Sequence, residues 1–233
     1  MRIVYLNPGA QMGGAETSLR ELLASLRKAK PEWDLWLVLG EDGPLVRIAE
    51  DLGVHAAIVP FPLSLARLGD AGQGALATLW SLLRTLPAAA RYASRLSAKL
   101  RGIKPDLVHT NGFKMHVLGI WTRPRNVPVI WHIHDYVRSR PLMSRLLRAH
   151  QRRRLSAIAN SRSVAADLRA LMPKLDVTPI YNAVNLDRFA PTGSRLDLDA
   201  ISGLPPAPPG TVRVGLVATF ARWKGHKVFL QAL

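Results

Sequence analysis

The 233-residue sequence contains no cysteine. That absence removes a disulfide framework, a thiolate metal site and a cysteine nucleophile together. Acid is scarce as well: 16 Asp and Glu stand against 32 Lys and Arg, a net charge of +16. Long apolar runs are missing too. The longest charge-free stretch of the apolar middle, Ala71 to Leu83, is too short for a bilayer, which takes about 20 residues. The opening residues, MRIVYLNPGA, hold one arginine, a strand-like run and a Pro-Gly break, without the long apolar core of a signal peptide. The expected location is therefore cytoplasmic. With 48% hydrophobic and 21% charged residues, a disordered or collagen-like polymer is excluded. At about 150 residues per domain, the length suggests about one and a half domains.

What is present is a concentrated positive charge. Between Ala71 and Asn160 there are sixteen basic residues and two acids, Asp106 and Asp135, so this window carries +14 of the total. Such a face calls for an anionic partner: nucleic acid, acidic lipid headgroups or a phosphorylated substrate. The use of 24 Arg against 8 Lys fits a compositional bias, which leaves the clustering unexplained. Aromatic residues are only 6% of the chain and do not interleave with the basic segments, and no nucleic-acid motif is present. Nucleic acid is therefore the less favoured partner. A basic nucleic-acid- or anion-binding α/β module without catalysis is the alternative to the enzymatic reading below.

Short runs rich in Val and Ile alternate with segments of helical period. Strands are expected at Ile3–Leu6, Leu35–Leu39, Ala56–Val59, Leu107–His109, Val129–His132, Ala157–Ala159 and Val177–Ile180. Several are apolar at every position, as in parallel strands covered on both faces. Helices are expected at Glu16–Lys28, Leu45–Leu52, about Gly74 to Arg101, Met115–Trp121, Leu142–Arg154 and Val164–Leu171. This alternation predicts an α/β fold with a doubly wound, Rossmann-like parallel sheet. The predicted organisation is one such domain over residues 1–186 and a Pro- and Gly-rich linker over 187–210. A last piece, 211–233, is expected to hold the first βα unit of a second domain, its strand at Val212–Ala218.

In an open parallel sheet, ligands collect at the carboxyl ends of the strands. After the first strand, Asn7-Pro8-Gly9-Ala10-Gln11-Met12-Gly13-Gly14-Ala15-Glu16 leads straight into a helix, where bare backbone amides and the helix dipole favour an anion. No GxGxxG passes through these glycines. A P-loop is excluded because Ala15 and Glu16 stand where Lys and Ser or Thr are needed. Glu16 also serves the dipole of its own helix. His109-Thr110-Asn111 closes the fourth strand and His132-Ile133-His134-Asp135 the fifth. Alternation puts His132 and His134 on one face. Nothing in the spacing fixes a metal set, so no metal is expected. A strand-end histidine that meets a substrate oxygen is favoured instead, and His132 reads equally well as a core histidine. Ser161 or Ser163 can cap the next helix. No Ser-His-Asp order or nucleophile elbow emerges, against a hydrolase built within the chain.

Six segments together resemble a known family. They are GGAE at Gly13–Glu16, PDLVHTNG at Pro105–Gly112, the strand leading to His134-Asp135, IANSRSVAADL at Ile158–Leu168, PIYNAVNLDRF at Pro179–Phe189, and VGLVATFARWKGH at Val214–His226. In this order they resemble the N-terminal half of a retaining glycosyltransferase of family 4, with the GT-B architecture of two facing Rossmann-like domains. Two places depart from the family pattern. Asn182-Ala183-Val184-Asn185 stands where Asn-Gly-Val-Asp is usual, and Ala218-Thr219 stands where Gly-Arg is common. Arg222, two residues before Lys224, leaves open whether it takes that arginine's place.

The resemblance implies sugar transfer from a nucleotide-sugar donor, without a metal or other cofactor, to a sugar or lipid-linked acceptor or a growing surface polysaccharide. His134 is the implied catalytic residue. Gly13, Gly14, Lys224 and Arg222 are implied at the donor diphosphate and sugar, and Glu16, His109, Asn111, Asp135 and Asn182 in acceptor or supporting roles. The N-terminal domain would bind the acceptor. The family's donor-holding glutamates would lie beyond Leu233, so the chain alone is expected to be inactive. Basic helices bearing Arg91, Arg95, Lys99, Arg145, Arg148 and Arg152, beside stripes at Leu76, Leu79, Trp80, Leu83, Leu142, Met143, Leu146 and Leu147, suggest a peripheral site on an anionic membrane.

Overall fold

The computed structural model describes residues 1–66, 75–150, 154–187, 189–221 and 224–233, with the backbone alone for 75–83. Seven strands form one sheet: β1 (Arg2–Asn7), β2 (Asp34–Leu39), β3 (His55–Ile58), β4 (Leu107–Asn111), β5 (Val129–Ile133), β6 (Leu155–Ala159) and β7 (Asp176–Pro179). All neighbours are parallel and the spatial order is β3-β2-β1-β4-β5-β6-β7. The chain winds outward from β1 in one direction and then returns past it to build the other half. The order therefore switches between β1 and β4, which opens a crevice at their carboxyl ends. The expected doubly wound sheet is formed.

Helices α1 (Gly14–Ala29), α2 (Pro44–Asp51), α3 (Leu63–Ala66), α4 (Ala75–Ile103), α5 (Phe113–Thr122), α6 (Pro141–Arg148) and α7 (Arg162–Leu171) accompany the strands. On one face Ile3, Tyr5, Leu35, Leu37 and Leu39 pack against Leu19 and Leu23 of α1 and Leu45 and Ala49 of α2. On the other, Val4, Leu6, Val108 and Trp131 pack with Leu96 and Leu100 of α4, Met115 of α5 and Leu168 of α7. Both faces of β1 and β2 are thus covered, which is why those strands read as unbroken apolar runs. Each fully buried leucine is worth about 1.5–3 kcal/mol against exposure.

Local chemistry sets the element ends. Ser161 accepts a hydrogen bond from the Val164 amide at 3.2 Å and caps α7 as expected. Gly112 turns β4 into α5 at φ +84°, a conformation that strains any side chain. Gly40, after β2, lies so close to the β1 loop that an added Cβ would meet the Pro8 carbonyl oxygen at 2.2 Å.

Three expectations change. Helix α6 ends at Arg148 rather than Arg154, with Ala149 as its C-cap. The segment expected as a bare linker contains a short helix, α8 (Leu198–Ser202), capped by Asp197. Val212–Ala218 forms no strand, because an apolar run becomes a strand only where a neighbour takes its hydrogen bonds, and none does so here among the described residues. Helix α9 (His226–Ala232) follows it.

The chain divides into two compact units, Met1–Asn185 and Leu186–Leu233. The sheet and its helices form the first. In the second, no described residue is buried, and Asp199 ties Arg213 at 2.7 Å and the Ala207 amide at 2.9 Å. Among the described residues no helix is long and apolar enough to cross a membrane.

Candidate active site

The crevice holds a chain of side chains that crosses the switch point. Asn7 ends β1 and is only 1% exposed. Its Nδ2 donates to the Gly9 carbonyl at 2.6 Å and to Glu16 Oε1, on the first turn of α1, at 3.2 Å. Asn7 Oδ1 accepts from Asn111 Nδ2, at the end of β4, at 2.8 Å. Asn111 Oδ1 then meets Nε2 of His134, just past β5, at 2.8 Å.

The direction of every bond in this chain follows from its first acceptors. A carbonyl and a carboxylate can only accept, so Asn7 presents its nitrogen to them and its oxygen to Asn111. Asn111 must then give its nitrogen to Asn7 and its oxygen to His134. His134 Nε2 therefore carries the proton, and Nδ1 holds the lone pair in the neutral ring. Burial depresses the pKa of His134, while the charges of Asp135 and Glu16 pull the other way. The net shift is downward, which favours a neutral imidazole whose Nδ1 accepts a hydrogen bond. Among the described residues no group occupies that atom.

The loop carrying His134 is anchored from β6 and α7. Asn160 donates to the His134 carbonyl at 3.1 Å. Asp167 accepts from the backbone amides of Val137 and Arg138 at 2.9 and 3.2 Å, and Ser144 Oγ donates to the Val137 carbonyl at 2.7 Å. Beneath His134 lies a column of rings: His134 to His132 at 4.3 Å, His132 to His109 at 5.3 Å, and His109 to Tyr5 at 4.8 Å between centroids. Burial, aided by the neighbouring histidines, pushes the pKa of both His109 and His132 down to about 3. Among the described residues, His109 Nε2 and His132 Nδ1 are buried without a hydrogen-bond partner. The rings meet tilted or edge-on in a row, and among the described residues no group of three His, Asp or Glu could hold a metal ion.

Of the residues singled out by sequence, Gly13 and Gly14 open α1. Gly13 is its extended N-cap, with no side-chain cap, and a Cβ there would meet Glu16 Oε2 at 2.8 Å. A Cβ on Gly14 would meet nothing within 4 Å. Glu16, Asn111 and His134 belong to one hydrogen-bonded chain, and Asp135 is exposed beside it. His109 lies below, in the ring column. Asn182 reaches α1, where Ser18 Oγ donates to its Oδ1 at 2.9 Å. Lys224 belongs to the second unit, before α9, and is exposed. Arg222 lies outside the described residues.

Sequence reasoning missed Asn7 and Asp167. Asn7 closes β1, but before Pro8-Gly9 it reads as a turn residue. Asp167 carries no signal, since an aspartate on an amphipathic helix reads as solvated.

The model of the family described as Glycosyltransferase Family 4 matches residues 12–188. The chain belongs to glycosyltransferase family 4. No curated protein sequence is similar enough to count as a match. Among solved structures, the fold is similar to Anabaena Alr3699/HepE in complex with UDP and glucose, at 19% identity and a TM-score of 0.55, over 82% of this chain and 47% of that one. It is also similar to the lipopolysaccharide outer core galactosyltransferase WaaB in its apo form, at 13% identity and a TM-score of 0.51, over 80% and 47%. A glycosyltransferase from Rickettsia africae gives 14% identity and a TM-score of 0.51, over 87% and 48%. The chain thus spans about half the length of these family-like structures. Their shared feature with it is the fold.

Proposed function

We propose that this chain supplies the acceptor side of an enzyme that moves a sugar, with retention, from a nucleotide-sugar donor to a sugar or lipid-linked acceptor or a surface polysaccharide. Family membership supports glycosyl transfer, and the HepE structure holds UDP and glucose. The observation that carries the reading is the chain from Glu16 through Asn7 and Asn111 to His134. It fixes an imidazole as a hydrogen-bond acceptor at the switch point, where a sugar or acceptor hydroxyl is its natural donor. Asp135, Asn182 and the ring column with His109 would support that wall.

As the acceptor hydroxyl oxygen bonds the anomeric carbon, the bond to the diphosphate breaks and negative charge grows on the leaving group. The hydroxyl proton passes to an oxygen of that departing diphosphate. The open amides at Gly13 and Gly14, with the dipole of α1, suit that charge. Lys224, and Arg222 with it, is proposed for the diphosphate as a cation that makes a metal unnecessary. Because no described residue of the Leu186–Leu233 unit is buried, it offers no preorganised wall for a donor. The 233-residue chain alone should show no turnover of a nucleotide sugar.

The decisive test uses a protein with the full two-domain length of the relatives. His134→Ala and Lys224→Ala should each lower the rate at least about tenfold, the usual scale of proton-transfer and electrostatic contributions. Wild-type kinetics in both would refute the reading.

The membrane proposal takes a narrower form. On α6, Leu147 is buried and Met143 and Leu146 pack against the core, as Leu96 and Leu100 of α4 do, while Leu142 alone of that stripe is exposed. Arg91, Arg95, Arg145 and Arg148 stay exposed. Arg152 and the side chains of Leu76, Leu79, Trp80 and Leu83 lie outside the described residues. Attraction to an anionic surface would therefore act through charge rather than insertion of these stripes. Salt-reversible binding to acidic vesicles, with little to neutral ones, is the expected result, and equal binding to both would refute it.

A further inference from the structure

The two halves of the sheet's amino edge differ in how they hold charge. Under β1, β2 and β4, Arg2 is matched with acid: its Nε meets Asp34 at 2.5 Å and its backbone amide meets Asp106 at 2.6 Å. Under β5 and β6 the cations have no such match. The loop from α5 into β5 and the residue before β6 enclose a hollow of about 660 Å³ lined by Ile120, Arg123, Pro124, Arg125, Asn126 and Arg154. It lies about 16 Å along β5 from His134, at about 3.3 Å per residue. Among the described residues none of its three arginines is paired with a carboxylate.

The hollow is built at a cost. Arg123 and Arg154 each donate one N–H to a loop carbonyl, of Val127 and of Asn126, which fixes both guanidinium heads and leaves most of their donors for other acceptors. Burial and the charge of Arg154 hold the Arg123 guanidinium below its ordinary pKa, so these cations repel one another. Asn126 and Arg154 both adopt left-handed backbone, at φ 71° and 59°, a region that asparagine visits readily and that strains an arginine. The carboxyl end of α5 offsets part of the charge. Tying the loop accounts for Arg123 and Arg154 but not for Arg125, which lines the same hollow, is exposed and joins no hydrogen bond or ion pair among the described residues.

We propose that this hollow is a binding site for a phosphoryl group, a phosphomonoester or diphosphate carried by a small ligand or by a lipid headgroup. Guanidinium forks match pairs of phosphate oxygens. The volume suits a small phosphorylated molecule better than a bare ion, and Ile120 and Pro124 give it an apolar wall. The proposal is independent of the glycosyl-transfer reading.

Two arms distinguish the sources. Calorimetric titration of this chain with sodium pyrophosphate at constant ionic strength tests a soluble ligand. Flotation with phosphatidylcholine vesicles, with and without phosphatidic acid, tests a headgroup. In at least one arm Arg125→Glu should weaken binding at least tenfold, while Arg47→Glu, the same charge change on exposed α2, stays within twofold. Dependence on Arg125 in the pyrophosphate arm assigns a soluble ligand, and dependence in the vesicle arm alone assigns a lipid. Absence of binding in both arms, or equal losses for Arg47→Glu and Arg125→Glu, overturns the site. If circular dichroism shows Arg125→Glu unfolded, Arg125→Gln carries the same test.

Discussion

At the carboxyl edge of the sheet the polar groups are largely buried and tied to one another, with Glu16 the one carboxylate in their hydrogen-bonded chain. At the amino edge under β5 and β6 they are cationic, nearer to water and tied to backbone carbonyls. The first arrangement gives direction: each bond from Glu16 to His134 fixes the next, and low local dielectric makes a broken link expensive. The second gives charge without direction, and salt can screen it. A site that must hold one tautomer in place belongs at the first edge, and a site that must attract an anion belongs at the second. The two edges should also fail differently, and that contrast can be broken experimentally.

Acid should produce the largest difference. His109 and His132 fall to about 3 in the folded protein from an ordinary value of 6.5. The unfolded chain therefore takes up protons first as pH falls. Their contribution is complete above pH 6.5 and is lost as pH drops toward 3, by up to about 1.4 kcal/mol per pH unit for each ring. By pH 5 the two together should cost about 4 kcal/mol on that scale. Urea unfolding as a function of pH measures this, and His109→Phe should remove about one ring's share of the slope. An unchanged slope would mean that the column is hydrated and titrates normally.

Backbone crowding comes next. Gly40→Ala places a Cβ against the Pro8 carbonyl, and overpacking of this kind should cost about 3 kcal/mol. The damage should fall on the carboxyl edge, because Gly40 also donates its amide to the Asn7 carbonyl at 3.2 Å. A melting temperature equal to the wild type would show that the loop simply yields.

Asn7→Ala is smaller and more selective. It strands Asn111 Nδ2 in a buried place, at about 2 kcal/mol for an unsatisfied donor. It also frees Asn111 to rotate, so His134 should lose its bias toward the Nε2–H tautomer. Nitrogen chemical shifts of His134 report this directly, and an unchanged tautomer would dismiss the chain as its cause.

The sequence carried the strands because β1 and β2 are covered on both faces, so runs such as Leu35–Leu39 need no alternation to be recognised. It also carried Glu16, Asn111 and His134, since strand ends in a parallel sheet are where ligands gather. It did not carry Asn7. Before Pro8-Gly9 an asparagine reads as a turn residue, and its partner Asn111 is 104 positions away. The edge-on packing of His109 against His132 depends on strand neighbours that only the order β1-β4-β5 creates. Val212–Ala218 shows the opposite limit, with strand-like composition and no neighbour to complete it.

The smallest effect is expected at the amino edge. Arg125 is exposed and makes no hydrogen bond or ion pair among the described residues, so Arg125→Gln should change stability by less than about 0.5 kcal/mol in either direction, as surface substitutions usually do. Its sign is informative. At low ionic strength the substitution removes one of the three cations that line the hollow and should stabilise slightly. Near 1 M salt, where the screening length falls to about 3 Å, that gain should vanish. Added salt should therefore raise the melting temperature of the wild type more than that of the variant. The same comparison with Asn7→Ala, which removes no charge, should show little salt dependence beyond that of the parent chain. If Arg125→Gln destabilises the protein equally at low and high salt, its guanidinium is holding the loop by contact, and the contrast between the edges is one of exposure alone.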